Sequence, residues 1–202
     1  MKKKSLDTRR MVLLAMLSAI LLVMSFTPLG YLNVGPLAIS LNMIPVAIGA
    51  VALGPGGGAF LGAVFGVTSC LQCVGIGGTS AMGMILFEIS PILTILQRFV
   101  TRVLAGCLTG LVYKGLHQAK FVLAPYVAGL SAALLNTVLF MAALVLLFGN
   151  TAYLQELIAG RNVLAFTISF VGINALVEVF AATVIVGAVC KALEKLKMIG
   201  DQ

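Results

Sequence analysis

Charge is what this chain has least of. Only 9% of its 202 residues are Asp, Glu, Lys or Arg, against 61% hydrophobic residues and a mean hydropathy of +1.15. A soluble domain of that length could not hide so much apolar surface, so the class is integral membrane protein, with no room for a second, soluble domain. Alternating segments of about ten residues, which a transmembrane barrel needs, are missing. The expected architecture is all-α, a bundle of spanning helices.

The chemical inventory is equally thin. The single histidine, His117, falls in a predicted loop beside lysines, whereas an intramembrane serine protease needs a histidine at membrane depth. Cys70 and Cys73 form a C-x-x-C pair, but Cys107 and Cys190 do not make the second pair that a structural zinc site needs. A thioredoxin-like motif would require a βαβ context, which is absent, so the cysteines read as small apolar packing groups. The run GPGGG, Gly54 to Gly58, lacks the Gly-Lys-Ser/Thr ending of a phosphate loop. We therefore expect no catalytic residues, no metal and no cofactor: the chain is not an enzyme.

What it does have is long apolar runs. Six of them, at residues 11–28, 37–54, 57–75, 92–113, 121–148 and 163–190, reach the length of about 20 residues that one crossing needs. They predict one six-helix membrane domain over residues 1–202. Pro55 and its flanking glycines break the helix between the second and third runs in a tight turn. The fifth and sixth exceed the minimum and are expected to tilt or to extend past the bilayer. The basic N-terminus followed by an apolar run resembles a signal peptide, but no small-residue cleavage pattern follows Met24-Ser25-Phe26-Thr27-Pro28, so the run is expected to stay as the first span.

Ten of the 13 basic residues lie on one side of this layout: Lys2, Lys3, Lys4, Arg9 and Arg10 at the N-terminus, Lys114 and Lys120 between the fourth and fifth spans, and Lys191, Lys195 and Lys197 at the C-terminus. The bias puts both termini and that loop in the cytoplasm. A net charge of +7 would suggest nucleic acid in a soluble protein. Placed at chain ends and in one loop, it fits anionic lipid headgroups instead, and no nucleic-acid partner is expected. The segments from Val74 to Pro91 and from Gly149 to Arg161 are then external. The first, Gly-rich and half apolar, reads either as a lid or re-entrant piece packed on the bundle mouth or as an ordinary connection.

Polar groups at membrane depth are few: Asn42 in the second span, Arg98 and Arg102 in the fourth, Asn136 in the fifth, Asn174 and Glu178 in the sixth. Positions four apart share a helix face, so Arg98 with Arg102 form one polar stripe and Asn174 with Glu178 another. A charge facing lipid costs roughly 2.5–3.5 kcal/mol, so these stripes should turn inward and converge on a polar pocket opening outward. The bland reading is that Glu178 pairs with an arginine and the amides link helices, worth about 0.6 kcal/mol each. Two arginines against one carboxylate favour an anionic ligand. Small-residue pairs at Ala15/Ala19, Gly62/Gly66, Gly106/Gly110 and Ala128/Ala132 permit close helix approach, mostly for internal packing.

Transport is the class that remains, and four stretches carry a resemblance. They are RRMVLLAMLSAI (Arg9 to Ile20), NMIPVAIGAVALGPGGGAFLGAVFGVTS (Asn42 to Ser69), AALLNTVLF (Ala132 to Phe140) and INALVEVFAATVIVGAVCKAL (Ile173 to Leu193). In order and layout the chain resembles the substrate-binding (S) components of energy-coupling-factor (ECF) vitamin transporters. The resemblance implies a six-helix bundle that binds a vitamin near its external face. It further implies association with a transmembrane coupling protein and two cytoplasmic ATPases, and toppling in the bilayer to carry the ligand inward. Ala15 and Ala19 would face the coupling protein. Arg98, Arg102, Asn136, Asn174 and Glu178, with Asn42, would line the ligand site. The absence of Trp excludes the pocket expected of thiamine binders. The second span and the Leu134-x-Asn136-Thr137 pattern look closest to the pantothenate-like branch, although Asn42-Met43 replaces its usual histidine-containing form. A pantothenate carboxylate suits the two arginines, and its hydroxyl and amide groups suit Asn136, Asn174 and Glu178. Two other classes compete: a stand-alone proton-coupled carrier with Glu178 as its proton site, and a scaffold subunit that binds nothing. Internal repeats of the kind such carriers use are not evident.

Overall fold

The computed structural model describes residues 8–34, 37–77, 80–160 and 162–196. In chain order it contains α1 (Thr8–Ser25), a two-stranded antiparallel ribbon of β1 (Tyr31–Val34) and β2 (Leu37–Ser40), then α2 (Met43–Leu71) with a 3-10 turn at Gln72–Val74. After these come α3 (Ala81–Ile89), α4 (Pro91–Gln118), α5 (Ala124–Phe148), α6 (Ala152–Ile158) and α7 (Val163–Lys195). Five stretches among the described residues are long and apolar enough to cross a membrane: Thr8–Ser25, Met43–Val74, Pro91–Gln118, Ala124–Phe148 and Ala175–Lys195.

Five such stretches stand where six were expected, because most of the second and third runs lies in one element, α2. Gly54, at φ 79° and ψ −171°, leaves the helical region in the middle of that element. A Cβ on Gly58 would lie 2.8 Å from the Cβ of Ala50, and one on Gly49 would collide with the Leu61 side chain. A straight helix separates positions eight to twelve residues apart by about 12–18 Å, so α2 folds back on itself at Gly54. Its arms are residues 43–53 and 55–71. The positive φ that starts the reversal is one that only glycine adopts readily.

The first arm is short. Eleven helical residues rise about 16 Å, half of the hydrocarbon core. The expected second span, 37–54, is therefore corrected: its first residues form β2, not helix. Leu32 pairs with Ile39 and Val34 with Leu37 across the ribbon, an apolar pattern that hydropathy alone does not separate from the start of a helix. The other boundaries shift by a few residues, most at the ends of α4 and α7. The segments from Val74 to Pro91 and from Gly149 to Arg161 also contain helices, α3 and α6, capped by side chains: Ser80 Oγ accepts from Gly83 N at 3.3 Å and Thr151 Oγ1 from Leu154 N at 3.4 Å. Arg161 itself lies outside the described residues.

Small residues set the packing. The second arm of α2 runs antiparallel to α4 with Gly58 against Gly106, Gly62 against the Arg102 backbone, Gly66 against Phe99 and Pro55 against Gly110. Without side chains at these positions the backbones meet directly, which is how helices associate where lipid supplies no hydrophobic drive. The Gly62/Gly66 and Gly106/Gly110 pairs are therefore internal contacts of one interface. Ala128 and Ala132 are buried on α5, where Gly129 lies against Ala182 and Val186 of α7. Ala15 and Ala19 differ: both are exposed on α1, beside exposed Met11, Val12, Met16, Ile20 and Val23. One apolar core joins α1, α2, α4, α5 and α7. A second joins α3 (Met82, Leu86), the end of α5 (Met141, Leu144, Phe148) and α6 (Leu154, Ile158).

Candidate functional site: a polar cluster at one end of the bundle

The C-terminal end of α1, both ends of the α2 hairpin and the N-terminal turns of α4 meet at one end of the molecule. Thr68 donates to the Ser25 hydroxyl at 3.2 Å, and the Gln72 amide donates to the Ser25 carbonyl at 2.7 Å. Arg98 is 5% exposed and spans two elements, with Nη1 donating to Ser69 Oγ of α2 at 2.9 Å and Nη2 to Ser80 Oγ at the start of α3 at 3.0 Å. Arg102, one turn on and 6% exposed, donates from Nη1 to the Arg98 carbonyl at 3.1 Å. Its guanidinium sits 4.6 Å from the Phe65 ring centre and 5.6 Å from that of Phe140, while Arg98 lies 5.9 Å from Phe140. Aromatic faces are electron-rich, so these rings support the cations while excluding water from them.

The carboxylate enters from α7. Glu178 accepts the backbone N–H of Ser40, the last residue of β2, at 2.6 Å, and it lies within Coulombic reach of Arg102. The ribbon is thereby fastened to α7. Asn42 stands at the N-terminus of the first arm, fully buried, with Oδ1 near Gly30. Asn136 lies buried one turn before Phe140 on α5, the ring that both arginines approach. Of the six residues singled out in the sequence, five are thus gathered at this end: Asn42, Arg98, Arg102, Asn136 and Glu178. Asn174 is one turn before Glu178 on α7, and its side chain lies outside those described.

Several contributors were missed. Ser69 and Ser80 hold Arg98, and Phe65 and Phe140 hold the guanidinium groups. Gln97 is the most informative, being wholly buried on α4 immediately before Arg98. Its signal in the sequence is a neutral polar side chain inside a span, which the search for charged groups and asparagines passes over.

Among the described residues, buried polar atoms with no hydrogen-bond partner include, at this end, both amide atoms of Asn42, Oδ1 of Asn136, the Ser40 hydroxyl and Nε of Arg98, and, next to Arg98 in the chain, both amide atoms of Gln97. Leaving one such group unsatisfied costs about 1–3 kcal/mol, and native structures carry only a few. Together with the two guanidinium groups they make a chemically specific set. The set offers positive charge for an anion together with carboxamides that can both donate and accept. The cysteines take no such part. All four are free thiols, and Cys73 Sγ turns back to the Ser69 carbonyl at 3.3 Å.

Comparison with known proteins gives this geometry a context. Residues 9–190 match the family described as ECF transporter, substrate-specific component. The chain is 28% identical to the "Pantothenic acid transporter PanT" of Lactococcus lactis subsp. cremoris, over 97% of each sequence. It is also 28% identical, over 92% of each, to the "Pantothenate transporter PanT" of Leuconostoc mesenteroides subsp. mesenteroides.

Proposed function

Because the chain belongs to the family of substrate-specific components of ECF transporters, a multi-pass protein of the cell membrane, we propose that it is the pantothenate-binding subunit of an ECF-type importer. In this reading its 202 residues form a single domain crossing the bilayer six times, the ribbon with the first arm of α2 making one crossing and the second arm the next, with both termini in the cytoplasm. The polar cluster then opens to the outside. Arg98 and Arg102 receive the vitamin's carboxylate, while Asn42, Asn136, Asn174 and Glu178 take its hydroxyl and amide groups. The single observation that carries the reading is the concentration of unsatisfied buried amide and hydroxyl atoms around two guanidinium groups at one end of the bundle. The names of the two PanT relatives support the choice of vitamin.

Energy is supplied elsewhere in this proposal. A transmembrane coupling protein docks on α1 through Ala15 and Ala19, and two cytoplasmic ATPases drive the cycle. Mass spectrometry of small molecules retained by detergent-purified protein, followed by calorimetric titration with pantothenate, tests the ligand. Retention of a different vitamin would replace pantothenate. No binding by a folded chain would return the protein to the scaffold class, and uptake that follows a proton gradient without ATPases would make it a carrier.

A further inference from the structure

We propose that Gln97 is a specificity-determining residue of this site, which reads the uncharged part of the ligand through paired hydrogen bonds, one donated and one accepted. The inference rests on the pantothenate reading above and adds to it a residue that neither the family resemblance nor the polar stripes had assigned.

The buried face of α4 carries six polar side chains: Thr94, Gln97, Arg98, Thr101, Arg102 and Thr109. Five have visible partners in the protein. The threonines turn back on their own helix, Thr94 to the Ser90 carbonyl at 2.9 Å, Thr101 to that of Gln97 at 2.6 Å and Thr109 to that of Ala105 at 2.7 Å. Arg98 holds Ser69 and Ser80, and Arg102 holds the Arg98 carbonyl. Gln97 differs from all of them. It is 0% exposed, and neither Oε1 nor Nε2 has a partner among the described residues.

A carboxamide gains nothing from such a position by packing. Leucine or methionine would fill nearly the same volume without the desolvation cost of two orphaned polar atoms. The group is useful there only to something that presents both a donor and an acceptor. A secondary amide does so, and so does a hydroxyl. A carboxylate, which only accepts, would use one half of the side chain, and Arg98 next in the chain already serves that chemistry. Gln97 and Arg98 therefore divide the ligand: the guanidinium takes the anionic end and the carboxamide takes the neutral polar portion beside it. A site built to hydrogen-bond a ligand group discriminates strongly against analogues that lack it, because its own buried atoms are then left unpaired.

The test uses full-length protein in detergent and two ligands, pantothenate and its alcohol analogue, in which the carboxylate is replaced by CH2OH. Gln97→Leu should weaken both by the same factor, about tenfold or more. The ligand-free thermal midpoint of Gln97→Leu should stay level or rise, since a buried unsatisfied group has been removed. Gln97→Met, equally apolar but unbranched, repeats the measurement if the leucine variant folds poorly. Unchanged affinity for both ligands overturns the proposal and leaves Gln97 a structural residue. A loss confined to pantothenate also overturns it, because Gln97 would then be acting on the carboxylate end through Arg98. Wild-type protein that binds neither ligand removes the pantothenate reading and this inference together, whereas wild-type binding with an indifferent Gln97 variant removes only the inference.

Discussion

The backbone N–H of Ser40 donates to the carboxylate of Glu178 at 2.6 Å, joining residues 138 positions apart in the chain. Even a half-buried carboxylate is expensive inside an apolar bundle, and a strand end leaves backbone groups that lipid cannot satisfy. Each solves part of the other's problem. The consequence is mechanical: Ser40, at the end of the ribbon, is held to α7 by a charge-assisted bond.

Glu178→Gln keeps an acceptor oxygen at this position but removes the charge, and charge-assisted hydrogen bonds are about twice as strong as neutral ones. The variant should fold, bind ligand several-fold more weakly and exchange its amide hydrogens faster between residues 37 and 40. Glu178→Ala, with no acceptor, should exceed it in both respects. Hydrogen-exchange mass spectrometry with a binding titration on each variant checks this. Wild-type affinity in both would place Glu178 outside the ligand's reach.

The two arginines predict different phenotypes although they are one turn apart. Arg98 bridges Ser69 and the cap of α3, so Arg98→Ala should loosen α3 and lower the thermal midpoint as well as affinity. Loss of its hydrogen bonds to the buried Ser69 and half-buried Ser80 hydroxyls should cost about 1–3 kcal/mol. Arg102 rests between Phe65 and Phe140 and lies nearer in field to Glu178. Arg102→Ala should therefore weaken pantothenate much more than its alcohol analogue. Equal losses for the two ligands would point to general damage. A dye that fluoresces on reaction with thiols can report unfolding in both variants, since the chain has no Trp and Cys73 and Cys190 are buried.

Glycine positions separate by what surrounds them. A Cβ at Gly106 would collide with the Gly58 carbonyl oxygen, whereas nothing lies within 4 Å of one at Gly115, further along the same helix. Gly106→Ala should destabilise by about 1–3 kcal/mol as the helices are forced apart. Gly115→Ala should be neutral or stabilising by up to about 1 kcal/mol through helix propensity alone. Thermal midpoints for the pair check the assignment, and a shift of equal size and sign in both would contradict the close approach of α2 and α4.

How far the sequence discloses this arrangement depends on which physical signal each part leaves. Gly54-Pro55 marks the reversal in α2 because its conformational demand is local, and Arg98 with Arg102 must turn inward because charge in lipid is costly wherever the helix sits. The ribbon leaves no comparable mark. Leu32, Val34, Leu37 and Ile39 are as apolar as the helices beside them, and the contact that ties the ribbon down, Ser40 with Glu178, joins residues far apart in the chain. Gln97 was concealed differently. A neutral amide beside two cations looks incidental in a sequence, and its significance appears only when every other polar group on the face of α4 has been given a partner.

The exposed face of α1 supplies the remaining prediction, one concerned with transport and not with binding. Leu17 and Leu21 turn inward, while Ala15 and Ala19 point away from the bundle beside Met11, Val12, Met16, Ile20 and Val23. The two alanines are far too small to be the best lipid-facing residues on so apolar a helix, but their spacing allows another helix to approach closely. Ala15→Trp and Ala19→Trp would fill that shallow groove without entering the core. The isolated variants should therefore bind pantothenate with wild-type affinity and unchanged thermal midpoints. Uptake by cells carrying the coupling protein and ATPases should fall to background, and co-purification of the coupling protein should fall with it. Ala15→Gly, which leaves the groove open, should retain most of both. Full uptake with both tryptophans in place would move the docking surface away from α1, and loss of binding in the isolated chain would instead tie α1 to the ligand site.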